Sequence, residues 1–268
     1  MSPRAIRRLV DAPRRIPFRR GVAILPSLFT VANMFFGYCA IILAFKRSFE
    51  WAVTFVVIAG ILDSLDGRIA RMTGTTSDFG KELDSLSDFL SFGLAPALVL
   101  YHWGLKDLGR TGWLFAFLLP VAGSMRLARF NVQAEKADKR FFVGLPIPAA
   151  AAAAVLPLYF LPQGLPRPFK WMALTYVVLL SLFMVSTFRY RSFKDLDLRE
   201  RRSPKVIFFV ALVLVLVALH PPAVLLAVAV VYSFSAPLTY LLEKVGILKR
   251  NPTGPSEPEP PEEEEEAP

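Results

Sequence analysis

Apolar residues in this chain fall into eight blocks, at about 25–45, 51–71, 82–102, 112–130, 145–163, 169–188, 205–220 and 222–242. A bilayer span needs about 20 residues at 1.5 Å of rise each, and most of the blocks meet that length. The pattern predicts an all-α, polytopic integral membrane protein of about eight transmembrane helices. The seventh block is short, and His220-Pro221-Pro222 reads as a tight turn between the last two. In the fifth, the run Ala149 to Ala154 after Pro148 offers a small-residue surface for close helix packing.

The polar stretches between blocks alternate in charge. The basic connections are read as the N-terminal arm, the 72–81 loop with Lys81, the 131–144 loop, the 189–205 loop and the stretch after Leu242. These are alternate connections, so the positive-inside rule puts both termini in the cytoplasm. Trp51, Trp103, Trp113 and Trp171 all fall at the ends expected on the far side, where aromatic belts form.

Composition agrees with this reading. The chain is 54% hydrophobic, with a mean hydropathy of +0.46. Its formal charge is +9, but seven glutamates and no Lys or Arg follow Arg250. Setting those seven aside raises the body from +9 to +16. Three parts follow: a basic juxtamembrane arm (1–24), a transmembrane catalytic domain (25–247) and a Pro/Glu-rich tail expected to be disordered (248–268). Anionic lipids or phosphorylated substrates suit the basic body; no nucleic-acid partner is expected. The single cysteine, Cys39, excludes an intrachain disulfide and a cysteine metal cluster.

Against this apolar background stand four acids. Asp63 and Asp66 close the second block, and Asp84 and Asp88 open the third. Positions 63, 66, 67 and 70 share one helix face, as do 80, 84, 87, 88 and 91. The short loop between the blocks makes these helices antiparallel neighbours, so both acidic faces can point into one cleft at the cytoplasmic boundary. Crowded carboxylates repel unless cations neutralise them. Two divalent ions, Mg2+ or Mn2+, match four acids in charge and in ligand hardness, and a two-metal clamp suits displacement at phosphorus. Gly67 and Ala70 leave room beside the acids for a ligand, and Arg71 can grip phosphate oxygens.

The pattern Asp63-x2-Asp66-Gly67-x2-Ala70-Arg71-x8-Gly80-x3-Asp84-x3-Asp88 resembles the full signature of the CDP-alcohol phosphatidyltransferases. Flanking segments resemble the membrane-embedded phosphatidylserine synthases of that family: Pro26 to Asn33, Glu82 to Leu86, Ser91 to Ala97, Arg126 to Asn131 and Gly144 to Pro148. The likeness covers about residues 24 to 160. Ser27 departs from it, since Asn more often follows that proline in the family, and no role is carried to it.

The resemblance implies transfer of the phosphatidyl group from CDP-diacylglycerol to the hydroxyl of L-serine, giving phosphatidylserine and CMP. It implies Asp63, Asp66 and Asp84 as metal ligands, with Asp88 completing the metal site and acting as catalytic general base. Cytidine and pyrophosphate would lie near Gly67, Ala70, Arg71 and Gly80, with Thr30 and Asn33 on the first helix. A cation is needed for the serine carboxylate, and Arg126 and Arg129 are the candidates. A homodimer in the bacterial cytoplasmic membrane, with its active site facing the cytoplasm, is also implied. The acids alone leave other acceptors open: glycerol 3-phosphate, an inositol phosphate or choline. UbiA-type prenyltransferases also use paired Asp motifs, but do not require Gly67, Ala70, Arg71 and Gly80.

Overall fold

The computed structural model describes residues 18–74, 77–133, 141–191 and 204–245. The arm up to residue 17, the acidic tail and parts of three loops lie outside the described residues.

Each of the eight apolar blocks forms a helix: α1 (Phe18–Phe45), α2 (Phe49–Thr73), α3 (Asp78–Leu108), α4 (Arg110–Gln133), α5 (Ile147–Phe160), α6 (Lys170–Val185), α7 (Pro204–Leu219) and α8 (Pro221–Lys244). Four segments among the described residues are long and apolar enough to cross a membrane: Pro26–Phe45 within α1, and α3, α4 and α8. α5 and α6 are shorter apolar helices. α2 has 25 residues, but Asp63, Asp66, Arg68 and Arg71 make its second half polar. α1 starts at Phe18, so its first turns come from the basic arm.

Packing is set by small residues. A Cβ on Gly37 would lie 2.3 Å from Ser91 Oγ and 2.8 Å from its Cα, so α1 and α3 cross in contact there. A second close crossing joins α4 and α5, where a Cβ on Gly123 would meet Ile147 Cδ1 at 2.6 Å, with Gly93 Cα of α3 at 3.8 Å. Ala150, Ala151, Ala153 and Ala154 of α5 are buried in the core, as the alanine run suggests. α3 is not uniformly α-helical. Directly after Asp88 it opens into a π-helical turn, Phe89–Leu94, with Ala95 N donating to Leu90 O. Such wide turns within α-helices recur at functional sites.

A short antiparallel ribbon departs from the all-α expectation. β1 (Phe141–Val143) pairs with β2 (Arg189–Arg191) in the register Phe142 opposite Tyr190. At three residues each, these strands are too short to produce an alternating pattern against the helical blocks. Gly144, at φ +78°, turns the chain out of β1, where any Cβ would sit 2.3 Å from Met184 O. Tyr190 is fully buried; its hydroxyl donates to Ser233 O of α8 at 2.9 Å, tying the ribbon to that helix.

The tryptophans divide. Trp51, Trp113 and Trp171 are 50–60% exposed, as belt residues are, whereas Trp103 is 7% exposed. Its indole N–H donates to Leu161 O at 2.7 Å. A buried indole needs an acceptor, and this one anchors the α5–α6 loop.

Candidate active site

The antiparallel pair α2 and α3 brings the predicted acids together. Carboxylate oxygens of Asp63, Asp66 and Asp84 all lie within 4.8 Å of one another. Asp88, one turn beyond Asp84, is an electrostatic neighbour of Asp63. α1 supplies the third wall. Thr30 Oγ1 donates to Asp66 Oδ2 at 2.9 Å, while Asp66 is 4% exposed. Two serines of the acidic face of α3 then fasten that helix to α1: Ser87 Oγ donates to Thr30 O at 3.0 Å, and Ser91 Oγ to Asn33 O at 3.1 Å. The residues that carry the acids thus hold the residues that orient them.

The donor set fits hard divalent cations. Mg2+ binds oxygen at about 2.0–2.1 Å, so ligands on one ion lie at most about 4.2 Å apart, and Ca2+-sized ions allow slightly more. The spread among the three acids closes to that range with small side-chain adjustments. Asp84 Oδ1 and Asp88 Oδ1 are buried with no hydrogen-bond partner among the described residues. Buried carboxylate oxygens left without a donor are costly, and cations would satisfy them.

Beside the acids opens a cleft of about 190 Å³, lined by Ser27, Thr30, Gly67, Ala70, Arg71, Gly80 and Lys81, with Asp66 and Asp84 at its floor. A Cβ on Gly67 would touch Arg71 Nη1 at 3.4 Å, so the guanidinium folds back over this glycine toward the acids. Gly80 sits in the first turn of α3, where its N–H is capped by Ser77 Oγ at 3.0 Å. A side chain there would crowd the cap at 3.1 Å. Lys81 lines the cleft although the signature does not include it. Lys81 sits one residue past Gly80 and could have been found from its place beside the signature. Ser27, where the chain departs from the family pattern, lines the cleft.

Among the remaining predicted residues, Asn33 is fully buried, and neither of its amide atoms has a partner among the described residues. Arg126 and Arg129 separate. Arg126 is 7% exposed, has Asp88 and Tyr232 as electrostatic neighbours, and keeps an unpartnered Nε. Its guanidinium carbon lies 5.9 Å over the Phe130 ring. Arg129 instead donates from Nη1 to Val185 O and Ser186 O at 3.0 and 3.3 Å, closing the C-terminus of α6. The neighbour Asn131 donates to Ser85 Oγ at 2.9 Å, pinning α4 to α3. Tyr232 of α8 was not foreseen, because α8 carries no polar pattern that points to the site.

Comparison with known proteins agrees with this geometry. The sequence profile of the CDP-alcohol phosphatidyltransferase family matches residues 23–185, so the chain belongs to that family, an enzyme family of phosphotransferases. It is also similar to individual relatives. A Helicobacter pylori (strain ATCC 700392 / 26695) protein named CDP-diacylglycerol--serine O-phosphatidyltransferase is 40% identical over 198 residues, 72% of this chain and 82% of the relative. One of the same name from Methanocaldococcus jannaschii is 41% identical over 136 residues, 51% and 61% of the two chains. An archaetidylserine synthase of Methanothermobacter thermautotrophicus is 41% identical over 129 residues, 47% and 54%. Family and apolar helices together make this an integral membrane enzyme.

Proposed function

We propose that the enzyme transfers the phosphatidyl group of CDP-diacylglycerol to the hydroxyl of L-serine, releasing CMP. The observation that carries this reading is a cluster of three acids from two helices, two of which, Asp66 and Asp84, line a cleft also walled by Gly67, Ala70, Arg71 and Gly80. The relatives' names support serine as acceptor.

In this reading the cytidine and pyrophosphate occupy the cleft. Gly67 and Ala70 let the nucleotide approach the α2 backbone, and Arg71 and Lys81 bind phosphate oxygens. Asp63, Asp66, Asp84 and Asp88 would hold two divalent cations, Mg2+ or Mn2+, which supply charge neutralisation on the pyrophosphate. Asp88 accepts the proton of the serine hydroxyl as its oxygen attacks the phosphorus that bears diacylglycerol. The new P–O bond forms as the bond to the CMP phosphate oxygen breaks, and CMP leaves. Arg126, beside Asp88 and with a free Nε, takes the serine carboxylate. Arg129, occupied at the end of α6, holds the wall on which Arg126 sits. Positioning and electrostatic stabilisation then account for most of the acceleration.

Eight spans with both termini in the cytoplasm would place this cleft at the cytoplasmic face of the membrane, within reach of soluble serine and a lipid-borne donor. A homodimer rests on family resemblance alone. The test is CMP release by purified protein with CDP-diacylglycerol and each acceptor in turn: L-serine, glycerol 3-phosphate, an inositol phosphate and choline. Release that depends on serine is expected; release that depends only on another acceptor overturns the serine assignment.

A further inference from the structure

A second cavity, of about 570 Å³, lies at the opposite end of the bundle from the acids. Its walls include Arg47 after α1, His102, Lys106 and Asp107 at the end of α3, the turn at Gly164 and Lys170 at the start of α6. Thr30 to Arg47 and Asp88 to Lys106 are 17 and 18 residues, so at 1.5 Å per residue the two sites are about 25 Å apart. That is close to the thickness of a bilayer's hydrocarbon core, about 30 Å. The cavity therefore lies near the opposite interface, where the sequence pattern expects few basic residues.

This site is built rather than a chance gap. Trp103 fastens the α5–α6 loop to α3 through Leu161 O. Gly104 lets Leu165 pack at 3.0 Å from where a Cβ would stand, and a Cβ on Gly164, at φ +99°, would stand as close to Trp103 O. Lys170 is 5% exposed and pairs with Asp107, so that wall is electrically balanced. Arg47 and Lys106 are exposed and have no ion pair among the described residues, which leaves the cavity with two uncompensated cations flanking His102.

Arg47 provides the more telling observation. α1 ends in a Schellman motif: Ser48 N donates to Leu43 O at 2.9 Å, and Arg47 N to Ala44 O at 3.0 Å. In that motif the residue in Arg47's place adopts the left-handed conformation, and glycine is the usual choice. Arg47 has φ +57° and is the one non-glycine residue with positive φ among the described residues. An arginine there costs backbone strain that glycine would avoid, and strain of this kind marks side chains held for function. Next to it, Phe45, Trp51 and Phe169 are 50–60% exposed, the apolar surroundings an acyl chain would meet.

We infer that this cavity binds a phosphate group, through Arg47 and Lys106, at the membrane interface opposite the active site. The phosphate can come from an anionic phospholipid headgroup or from inorganic phosphate, and the two are separable. The test uses the full chain, purified in detergent, with thermal stability and native mass spectrometry as readouts. Its probes are dioleoylphosphatidylglycerol, dioleoylglycerol, which has the same chains and no phosphate, and inorganic phosphate. Wild type should be stabilised by phosphatidylglycerol and not by dioleoylglycerol. A further shift with inorganic phosphate alone would identify a free anion as sufficient; its absence would identify the lipid.

Arg47→Gly is the decisive variant, because glycine is favoured in this backbone conformation and folding is preserved. Loss of one charged hydrogen-bonding partner lowers affinity about tenfold. Arg47→Gly, and more strongly Arg47→Gly with Lys106→Gln, should lose affinity for phosphatidylglycerol by at least that factor, with lipid-free stability equal to or above wild type. Asp88→Asn, at the other end, should retain it. Wild-type affinity in the double variant, or equal stabilisation of wild type by dioleoylglycerol, overturns the assignment.

Discussion

Thr30 Oγ1 donates to Asp66 Oδ2 across 2.9 Å, from α1 to α2, and so fixes one carboxylate oxygen of the acidic cluster. Asp66 also has a carboxylate oxygen within 4.8 Å of those of Asp63 and Asp84. If Asp66 holds a metal ion, Thr30 orients that ligand, and loss of such a partner typically costs about 10- to 100-fold in metal affinity. Thr30→Val keeps the shape and removes the donor. It should raise the Mg2+ or Mn2+ concentration needed for half-maximal CMP release by about 10- to 100-fold, while Thr30→Ser stays near wild type.

Removing divalent ions should abolish turnover, and restoring them should recover it. CMP release in excess chelator, followed by titration with Mg2+ and Mn2+, checks this. Undiminished release in chelator would exclude the two-metal reading of the four acids.

Asp88 borders both Asp63 and Arg126. Asp88→Asn should reduce CMP release by about 10²–10⁴-fold, the usual contribution of a general base. Binding of CDP-diacylglycerol should largely survive, because Asp63, Asp66 and Asp84 remain. Normal turnover in this variant would remove the base assignment.

The two arginines of α4 should behave differently. Arg126→Ala should raise the serine concentration required for half-maximal rate and leave the requirement for the lipid donor near wild type. Arg129→Ala should instead lower thermal stability, because the carbonyls of Val185 and Ser186 lose their donor. Kinetic titration of each substrate, with thermal unfolding in detergent, separates these effects.

Gly37 faces Ser91 where no Cβ fits. Gly37→Ala should force α1 from α3 and cost about 1–3 kcal/mol of stability. It should also weaken metal-dependent activity, since the bonds from Ser87 and Ser91 to α1 hold Thr30 beside Asp66. Unfolding and metal-activation curves for this variant should move together.

Much of this enzyme is legible in its sequence because lipid imposes simple rules. A spanning segment must be helical and apolar, so the apolar blocks fold as helices, four of them among the described residues long and apolar enough to span. Charges within such segments stand out, and the α-helical repeat alone put Asp63 with Asp66 and Asp84 with Asp88. Six of the eight signature positions, Asp66, Gly67, Ala70, Arg71, Gly80 and Asp84, lie together around one cleft.

What the sequence could not determine depends on contacts between segments distant in the chain. Periodicity places Arg126 and Arg129 three residues apart on α4, but only the packing of α6 against α4 gives Arg129 two carbonyls and leaves Arg126 beside Asp88. The π-helical turn after Asp88 has no sequence period of its own, and β1 and β2 are too short to show one. Thr30 is an ordinary helix residue until α1 meets α2. Gly37 and Ser91 set the approach of α1 to α3 through steric contact, which neither hydropathy nor charge encodes. Local pattern determined the helices and the acids; close packing of three helices decided which oxygens face one another.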